Sequence, residues 1–383
     1  MGIGSTDFSK ASGRSVLTLA TSAARAAISD AGLQIDDVDA VIRCENDIVG
    51  HNDIAHALGL RELSYWGSTP GGGAAPSGMI GQAVAAVTAG LATTVLVYRS
   101  LNGRSGERYG QGAGHEARAI GGFGSYDEFF MPYGLLTPGQ VWALIFRRHM
   151  IEFGSTTESL REIALTCRRR ANANPRAQLG HKLMTAEDYD NEPIISDPLR
   201  KFDFCLETDG ASAVIVTSAE RARDGAQPMC TITATAQSAS HGMQPAVMFP
   251  VLMRGSLVEQ PSAGVADLLY RRAGIGPDGI DVAQFYDCFT PTVLMQLEDY
   301  GFCTKGEGSD FAMSGALELG GSIPINTAGG NLSEGYIHGM SHIVEGVRQI
   351  RGSSTSQVDG AKTCLVTSGL PVVSSALILS GSA

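Results

Sequence analysis

The sequence predicts a layered α/β fold made of two related halves, and two observations lead to this expectation. The first is an alternation of helical and strand-like segments, from a helix at residues 12–31 to a buried strand at 93–100. The second is a weak internal repeat: AGLQIDDVDAVIRCE at 31–45 aligns without a gap with AGIGPDGIDVAQFYD at 273–287. Two similar halves in tandem imply pseudo-twofold packing, with a functional site between them.

The first half is predicted to begin with an amphipathic, alanine-rich helix. Ser12 or Ser15 can cap this helix at its start, and Gly32 can end it. The later elements follow in chain order: a strand at 38–43, a glycine-rich turn at 69–78, a small-residue helix at about 79–90 and the buried strand at 93–100.

A long insertion at about 101–200 is expected within the first half. It contains a predicted helix pair, Pro138–Phe153 and Thr157–Asn172, and a strand at 209–218 then closes this half. We therefore expect a first half at 1–225 and a second half at 226–383. A simpler explanation of the repeat stays open, since an Ala-Gly pair before an aspartate-rich turn is a common connector from a helix to a strand.

Composition excludes several classes of function. The net charge of −11, without a long basic run, argues against general nucleic-acid binding. The seven cysteines are scattered without CxxC spacing, which fits a reducing cytoplasm. The N-terminus lacks a signal-peptide pattern, and no uninterrupted apolar run approaches the ~18 residues of a membrane span. We expect a cytoplasmic protein that does not enter membranes.

The segment YDCFTPTVL, at 286–294, closes a predicted strand and opens a helix, with Pro291 in the first helical turn. Side chains at the carboxyl edge of such a strand usually lie at the binding site of an α/β protein. Tyr286 and Asp287 are therefore candidate site residues. The alternative is that Tyr286 is a core aromatic residue and Asp287 an anion at the start of a helix.

The segment NTAGGNLSEGYIHG, Asn326–Gly339, combines a glycine-rich turn with two protonatable side chains, Tyr336 and His338. His338 and His342 are one helical turn apart, a spacing that can bind a metal ion. Such a pair more often contains one pocket histidine and one core or surface histidine. We expect no metal site here, and we expect His338 to contact a tyrosine or the substrate.

The segment from Arg99 to Arg108 places three arginines among serine and glycine residues in an acidic protein. Arg99, Arg104 and Arg108 are candidate contacts for the phosphates of coenzyme A or for a partner subunit. A solvated surface loop is the alternative.

Three stretches carry a resemblance to a known superfamily: YDCFTPTVLMQLEDYGFC, GSIPINTAGGNLSEGYIHGMSHIVEGVRQIRG and RSLNGRSGERYGQG. They resemble the sterol-carrier and lipid-transfer branch of the thiolase superfamily, in particular the bacterial acyl-CoA aldolases that cleave steroid side chains. The resemblance covers nearly the whole chain. It implies the thiolase fold, with two pseudo-symmetric βαβαβ-type halves in an α/β/α/β/α arrangement.

The chain departs from ordinary thiolases at three catalytic positions. Where a thiolase has its nucleophilic cysteine, this chain has GGGAAPSGM, which contains Ser77 but no cysteine. Where a thiolase has a Cys-x-Gly turn, this chain has Ser368 and Gly369. Tyr336 replaces the catalytic histidine. Thiolysis and Claisen condensation are therefore not expected.

The resemblance implies retro-aldol cleavage of a β-hydroxy acyl-CoA, of the kind that ends steroid side-chain degradation. The products are a ketone and a shorter acyl-CoA such as propionyl-CoA. Tyr286 is the candidate base and Tyr336 the candidate acid, and the sequence leaves the opposite order open. The supporting or pocket residues expected beside them are Asp287, His338, Gly330 and Gly369.

The resemblance also implies partners. Proteins of this group are usually homodimers, and they commonly work with a small partner that carries an OB-fold and a zinc ribbon, in a heterotetramer. No cofactor is expected in this chain, and any zinc is expected in the partner. Two alternatives remain open: a non-catalytic carrier of lipid or acyl-CoA, and a scaffold subunit for a partner enzyme.

Overall fold

The structure is a computed structural model, and it describes residues 1–106, 108, 129–223, 225, 227–239, 249–369 and 371–381. Most of the turn-rich part of the insertion, between Arg104 and Tyr126, lies outside the described residues. No helix among the described residues is long and apolar enough to cross a bilayer.

Two sheets form the framework, one from each half of the chain. The first has the strand order β1-β7-β4-β2-β3, and the second has the order β8-β11-β10-β9. A separate two-stranded ribbon pairs β5 with β6. The strands are β1 (Gly2–Ser5), β2 (Ala40–Cys44), β3 (Tyr65–Thr69), β4 (Thr94–Asn102), β5 (Ile194–Ser196), β6 (Leu199–Arg200), β7 (Asp209–Thr217), β8 (Cys230–Ala239), β9 (Val282–Gln284), β10 (Thr363–Gly369) and β11 (Val373–Gly381).

The two sheets repeat one topology. In each, an edge strand and a long strand pair antiparallel (β1 with β7, β8 with β11), and the long strand pairs antiparallel with the next (β4, β10). The following pair is parallel in both sheets, β2 with β4 and β9 with β10. A parallel bridge between Ala283 and Ile325 takes the place that β3 has in the first sheet. The structure thus confirms the repeat predicted from the sequence.

Helices surround and separate the sheets. Helix α1 packs on the outer face of the first sheet and α8 on the outer face of the second, while α3 and α12 contact both sheets and form the middle layer. This is the expected α/β/α/β/α arrangement. The helices are α1 (Val16–Asp30), α2 (His51–Leu58), α3 (Ala75–Thr88), α4 (Pro138–Phe153), α5 (Thr157–Asn172), α6 (Ala186–Asn191), α7 (Ala219–Arg223), α8 (Pro261–Ala273), α9 (Thr290–Asp299), α10 (Gly308–Met313), α11 (Gly330–Ser333) and α12 (Met340–Arg351).

Small residues set the spacing between the layers. A Cβ atom on Gly4 of β1 would lie 2.2 Å from the carbonyl oxygen of Ala23 in α1, and one on Gly2 would lie 2.5 Å from that of Ala27. The strand and the helix can approach this closely only because these two positions carry no side chain. The alanine-rich face of α1 is buried against the sheet.

The insertion helices match the predicted bounds, Pro138–Phe153 and Thr157–Asn172, because their ends are marked locally. Pro138 occupies the first turn of α4, and Gly154 ends it with φ +74°. Helix α3 begins at Ala75, four residues before the predicted start, because Pro76 fits a first helical turn. The division near residue 225 stays a prediction.

Candidate active site

The site lies where the carboxyl edges of the two sheets meet the glycine turns. Tyr286 follows β9, its backbone N–H donates to Thr367 Oγ1 over 2.8 Å, and its carbonyl accepts from Gln296 Nε2 over 2.8 Å. Its ring reaches across to the turn of the first half. A Cβ atom on Gly73 would lie 1.9 Å from the Tyr286 hydroxyl oxygen, so this approach requires glycine at residue 73.

Tyr286 and Tyr336 are brought together as predicted, since their hydroxyl oxygens lie 3.0 Å apart. Tyr286 is buried, with 1% of its surface exposed, whereas Tyr336 is half-buried. Burial raises the pKa of Tyr286 well above 10, and the neighbouring Tyr336 adds to the shift. A phenol held in its protonated form is suited to donate a proton, which favours Tyr286 as the acid.

Asp287 and Gly330 together maintain the conformation of the loop Asn326–Gly339. Asp287 is fully buried, and its carboxylate accepts from the backbone N–H groups of Asn331 and Leu332 over 2.9 and 3.3 Å, at the start of α11. A Cβ atom on Gly330, whose φ is +63°, would lie 2.1 Å from Asp287 Oδ2. Both predicted residues therefore hold the loop in shape, and Asp287 contacts the loop backbone.

The insertion fixes the position of Tyr336, a feature that the sequence did not reveal. The backbone N–H of Tyr336 donates to Thr208 Oγ1 over 2.9 Å, and Thr208 Oγ1 donates to Gln178 Oε1 over 3.0 Å. The N–H of Gln178 donates to the carbonyl of Glu334 over 2.8 Å. These contacts join residues that are far apart in sequence, so no local pattern could have indicated them.

Arg99 lies buried in the site and not in a surface loop, and its described partners are Asp47 and His338, whereas the sequence indicated a contact for coenzyme A phosphates or a partner subunit. Strand β4 continues through Asn102, which leaves Arg99 with no exposed surface. Its Nη1 pairs with Asp47 Oδ1 at 2.8 Å, and its Nε and Nη2 donate to His338 Nδ1 over 3.2 and 2.9 Å. Asp47 was missed, although it lies three residues after the end of β2, near the edge where binding sites form.

His338 is buried beside both the first-half turn and Tyr336. The ring centroids of His338 and Tyr336 are 5.2 Å apart, and the planes meet at 74°. Burial, and then the charge of Arg99, lower the pKa of His338 well below 6.5. The imidazole is therefore neutral at physiological pH.

The two histidines one helical turn apart have different partners. His342 Nε2 lies 2.9 Å from Asp287 Oδ1, whereas His338 contacts Arg99. Within the described residues no group of three metal-ligating side chains occurs. The pair does not form a shared ligand site.

Arg104 and Arg108 remain near the surface. Both pair with Glu207, with an Arg104 Nε to Oε2 distance of 3.7 Å and an Arg108 Nε to Oε2 distance of 2.6 Å. Their side chains are 40% and 27% exposed, so they stay candidate contacts for coenzyme A or a partner.

The positions that resemble thiolase cysteine sites hold a serine pair. The backbone N–H of Ser77 donates to Ser368 Oγ over 3.1 Å, and the two Oγ atoms are 3.0 Å apart and buried. Gly369 follows at the end of β10, beside β11 and the Gly71 turn. Burial raises the pKa of every cysteine in the chain: Cys44, Cys167, Cys205, Cys230, Cys288, Cys303 and Cys364.

Comparisons with known proteins identify the family to which this fold belongs. A family model described as thiolase C-terminal domain-like matches residues 250–380. The steroid side-chain-cleaving aldolase of Thermomonospora curvata is 42% identical over 379 residues, covering 99% of this chain and 96% of the relative. The 17-hydroxy-3-oxo-4-pregnene-20-carboxyl-CoA lyase of Mycobacterium tuberculosis is 43% identical over 380 residues, covering 99% and 98%.

Solved structures give the same result. The Ltp2-ChsH2(DUF35) aldolase has a TM-score of 0.92 and 41% identity, covering 99% of this chain and 96% of that chain. Human mitochondrial 3-ketoacyl-CoA thiolase has a TM-score of 0.71 at 16% identity, covering 100% and 98%, which shows the shared fold alone. The resemblance drawn from the motifs is confirmed: this chain belongs to the thiolase superfamily and, within it, to the family of the steroid side-chain-cleaving aldolases.

Proposed function

We propose that this chain is a carbon–carbon lyase that catalyses retro-aldol cleavage of a β-hydroxy acyl-CoA with a steroidal side chain. The products are a ketone and a shorter acyl-CoA such as propionyl-CoA. The names and full-length similarity of the two bacterial relatives support the reaction class. The observation that carries the proposal is the contact between Tyr286 and Tyr336, 3.0 Å apart at the junction of the two halves.

The proton transfers of the cleavage balance with two tyrosine side chains alone, one ionised and one protonated. Phenolate Tyr336 takes the proton of the β-hydroxyl as the bond between Cα and Cβ breaks, which gives the ketone and a thioester enolate. Tyr286 donates its proton to Cα of the enolate. Tyr336 then returns a proton to Tyr286 through their hydrogen bond, so the pair starts the next turnover unchanged.

The assignment of Tyr336 as base and Tyr286 as acid rests on burial. Tyr286 is fully enclosed and its pKa is raised, so it is protonated when substrate binds. Tyr336 is half-buried and accepts stabilisation from the Tyr286 hydroxyl when it is ionised. The β-oxygen and Cα of the substrate are separated by one atom, so two hydroxyls in contact can serve both.

The developing enolate needs hydrogen-bond donors at the thioester oxygen. We assign this role to backbone N–H groups of the Gly71–Gly73 turn, because the Tyr286 hydroxyl lies directly over this turn. No cysteine is required, since burial raises the pKa of all seven thiols and the Ser77–Ser368 pair occupies the thiolase-like positions.

We propose further that the chain is a homodimer that works with a small OB-fold and zinc-ribbon partner in a heterotetramer. The solved aldolase whose name joins Ltp2 with ChsH2(DUF35) supports a partner of this kind. Any zinc would belong to the partner, and the chain itself would bind no cofactor. Native mass spectrometry with metal analysis tests this: metal bound to the isolated chain, or a chain that stays alone beside such a partner, would count against it.

The test of activity uses 17-hydroxy-3-oxo-4-pregnene-20-carboxyl-CoA, the compound in the name of the relative from Mycobacterium tuberculosis. With the partner present, we expect mass spectrometry to detect a ketone and a shorter acyl-CoA in equal amounts. The Tyr336→Phe variant should bind the thioester and the partner normally but lose cleavage. A wild type that binds the thioester without cleaving it, partner included, would support a carrier or scaffold instead.

A further inference from the structure

We propose that Asp47 and Arg99 are positioning residues that hold His338 as a neutral imidazole with its proton on Nε2, so that His338 donates a hydrogen bond within the tyrosine site. The identity of the acceptor rests on the proposed function. The tautomer of His338 does not, and it can be measured by itself.

The hydrogen-bond chemistry of Arg99 determines the tautomer. A guanidinium group carries only donors and stays charged in proteins. Two of its nitrogens, Nε and Nη2, lie 3.2 and 2.9 Å from His338 Nδ1. Nδ1 must therefore present its lone pair to Arg99, and the single proton of the neutral ring resides on Nε2.

Asp47 compensates the positive charge of Arg99, which is buried. Arg99 has no exposed surface, and an isolated cation there would be costly. Asp47 Oδ1 lies 2.8 Å from Arg99 Nη1, and the hydroxyl and backbone N–H of Ser100 approach the same oxygen at 3.4 Å. The carboxylate balances the guanidinium charge and directs its other nitrogens toward His338.

Protonation of His338 is opposed by the same geometry. An imidazolium would place a hydrogen on Nδ1 against the N–H groups of Arg99, and a second positive charge beside the first. Arg99 and Tyr336 are ionisable groups that contact this ring, and the Asp47 carboxylate pairs with a different nitrogen of Arg99, Nη1. Burial and the Arg99 charge accordingly lower the pKa of His338.

The backbone of His338 shows that the ring is held in place. Its φ is +57°, in the left-handed region that residues other than glycine seldom adopt. Such a conformation persists only where the surroundings impose it, and it is frequent at functional sites. The ring edge faces the first-half turn: a Cβ atom on Gly72 would lie 3.4 Å from His338 Cε1 and 3.8 Å from Nδ1.

A neutral N–H donor at this place suits the proposed reaction. Tyr286 lies over Gly73 and His338 over Gly72, so the acid and the imidazole flank the same turn. We assign the Nε2–H to the thioester oxygen, where negative charge develops as the enolate forms. A neutral imidazole can stabilise that charge without adding a cation to the site.

The contrast with His342 makes the assignment specific. Four residues later in the chain, His342 places its Nε2 2.9 Å from an anion, Asp287, whereas His338 places its Nδ1 2.9 Å from a nitrogen of the cation Arg99. A purely structural histidine would have no need of two buried charges from separate segments of the other half. Asp47 and Arg99 both come from the first half, and they act on a ring of the second.

The direct test is the ¹⁵N spectrum of the full chain labelled with ¹⁵N-histidine, in which the His338 signals are those missing in His338→Gln. We expect an unprotonated Nδ1 and a protonated Nε2 throughout pH 5.5–8. In Arg99→Met, the nearby cation is gone and Nδ1 is no longer held as an acceptor, so His338 should become protonated at a higher pH than in wild type. A wild-type His338 with its proton on Nδ1, or one that becomes protonated in this range, would overturn the inference without reference to the Arg99 variants.

The kinetic test separates positioning from stability. Arg99→Met should lower kcat by roughly 10- to 100-fold with little change in KM, and should add a fall in kcat at acidic pH that the wild type lacks. Arg99→Lys should keep part of the activity. Arg351→Met is the control, because Arg351 also forms an ion pair, with Asp30 at 2.8 Å, which is partly buried and lies outside the site.

The outcomes also distinguish this inference from the proposed function. Cleavage with an ionised or Nδ1-protonated His338 contradicts the inference alone. An Nε2-protonated His338 in a wild type that cleaves nothing contradicts the proposed reaction alone. An equal loss of kcat in Arg351→Met and Arg99→Met, without a new pH dependence, would show that Arg99 has only a structural role.

Discussion

The two halves of this chain share one strand order but contribute different parts of the site. The first half supplies backbone and fixed charge: the Gly71–Gly73 turn and the buried Asp47–Arg99 pair. The second half supplies the groups that move protons, Tyr286 and Tyr336. The comparison indicates that, in a duplicated fold, one half can keep the electrostatic environment while the other acquires the reactive side chains.

Equivalent positions show how far the halves have diverged. Cys44 ends β2 where Tyr286 follows β9, and the repeat aligns these two residues. Cys44 is buried, and its thiol lies 2.9 Å from Asn46 Oδ1. Burial raises its pKa, so this position of the first half offers neither a base nor a nucleophile. The chemical asymmetry is therefore already present at the ends of two matching strands.

The largest effect is expected from removing either hydroxyl of the second half. Tyr286→Phe and Tyr336→Phe should each lower kcat by about 10³-fold while keeping the fold, because each removes a proton-transfer group. Exchange of the α-hydrogen of propionyl-CoA in deuterated water separates their roles. If Tyr286 serves Cα, exchange should fall at least ~10-fold further in Tyr286→Phe than in Tyr336→Phe.

The reverse order of exchange rates would restore Tyr286 as base and Tyr336 as acid. Equal loss in both variants would indicate that neither hydroxyl acts without the other. Phe is a suitable replacement at both positions because it keeps the ring packing, and circular dichroism would confirm the fold of each variant.

The next largest effect is expected in the first half, from adding a side chain to the Gly71–Gly73 turn. Gly73→Ala would place a Cβ atom 1.9 Å from the Tyr286 hydroxyl oxygen, so the phenol would be displaced from Tyr336. We expect kcat to fall roughly 10²-fold, since small displacements of positioned groups are costly. Gly276→Ala is the control, because nothing lies within 4 Å of its Cβ position. Unchanged kcat in Gly73→Ala would separate the first-half turn from the chemistry.

A third prediction concerns Glu334, a buried carboxyl group in the loop Asn326–Gly339. Burial raises the pKa of Glu334 to about 8, well above the value of 4.5 for a free side chain. Its contribution to stability is thus present below pH 4.5 and lost progressively as the pH rises toward 8, by at most roughly 1.4 kcal/mol per pH unit. Denaturant unfolding from pH 5 to 8 should show a flatter dependence in Glu334→Gln than in wild type. If the free energy of unfolding changed with pH equally in both proteins, burial would not hinder the ionisation of Glu334, and the prediction would be wrong.

Much of the fold could be predicted because its signals are local. Caps, prolines and glycines mark the ends of the insertion helices, and the repeat at 31–45 indicated the second sheet. Of the site, Tyr286 and Tyr336 could be named because each follows a recognisable strand or glycine turn. Their contact, by contrast, joins two segments 50 residues apart in sequence, and no local pattern specifies it.

Arg99 shows why the rest could not be predicted. The serine, glycine and arginine residues that follow it are typical of an exposed loop, but β4 continues to Asn102 and the Arg99 side chain is buried. Its partners, Asp47 and His338, come from two other segments of the chain. A single sequence gives no signal for a charge pair assembled across three segments, and the same is true of Thr208 and Gln178 behind Tyr336.

The smallest effect on kcat is expected from blocking the thiols. This experiment tests whether the reactive groups come from the second half alone. A thiolase-like nucleophile would be a cysteine in the first half with a lowered pKa, at the start of α3. Ser77 stands there, hydrogen-bonded to Ser368, and the thiols of this chain have raised pKa values. Iodoacetamide at pH 7.5 should therefore leave kcat within about twofold, as should Ser77→Ala. Rapid inactivation protected by acyl-CoA would mean that a cysteine, and not the tyrosine pair, carries the reaction.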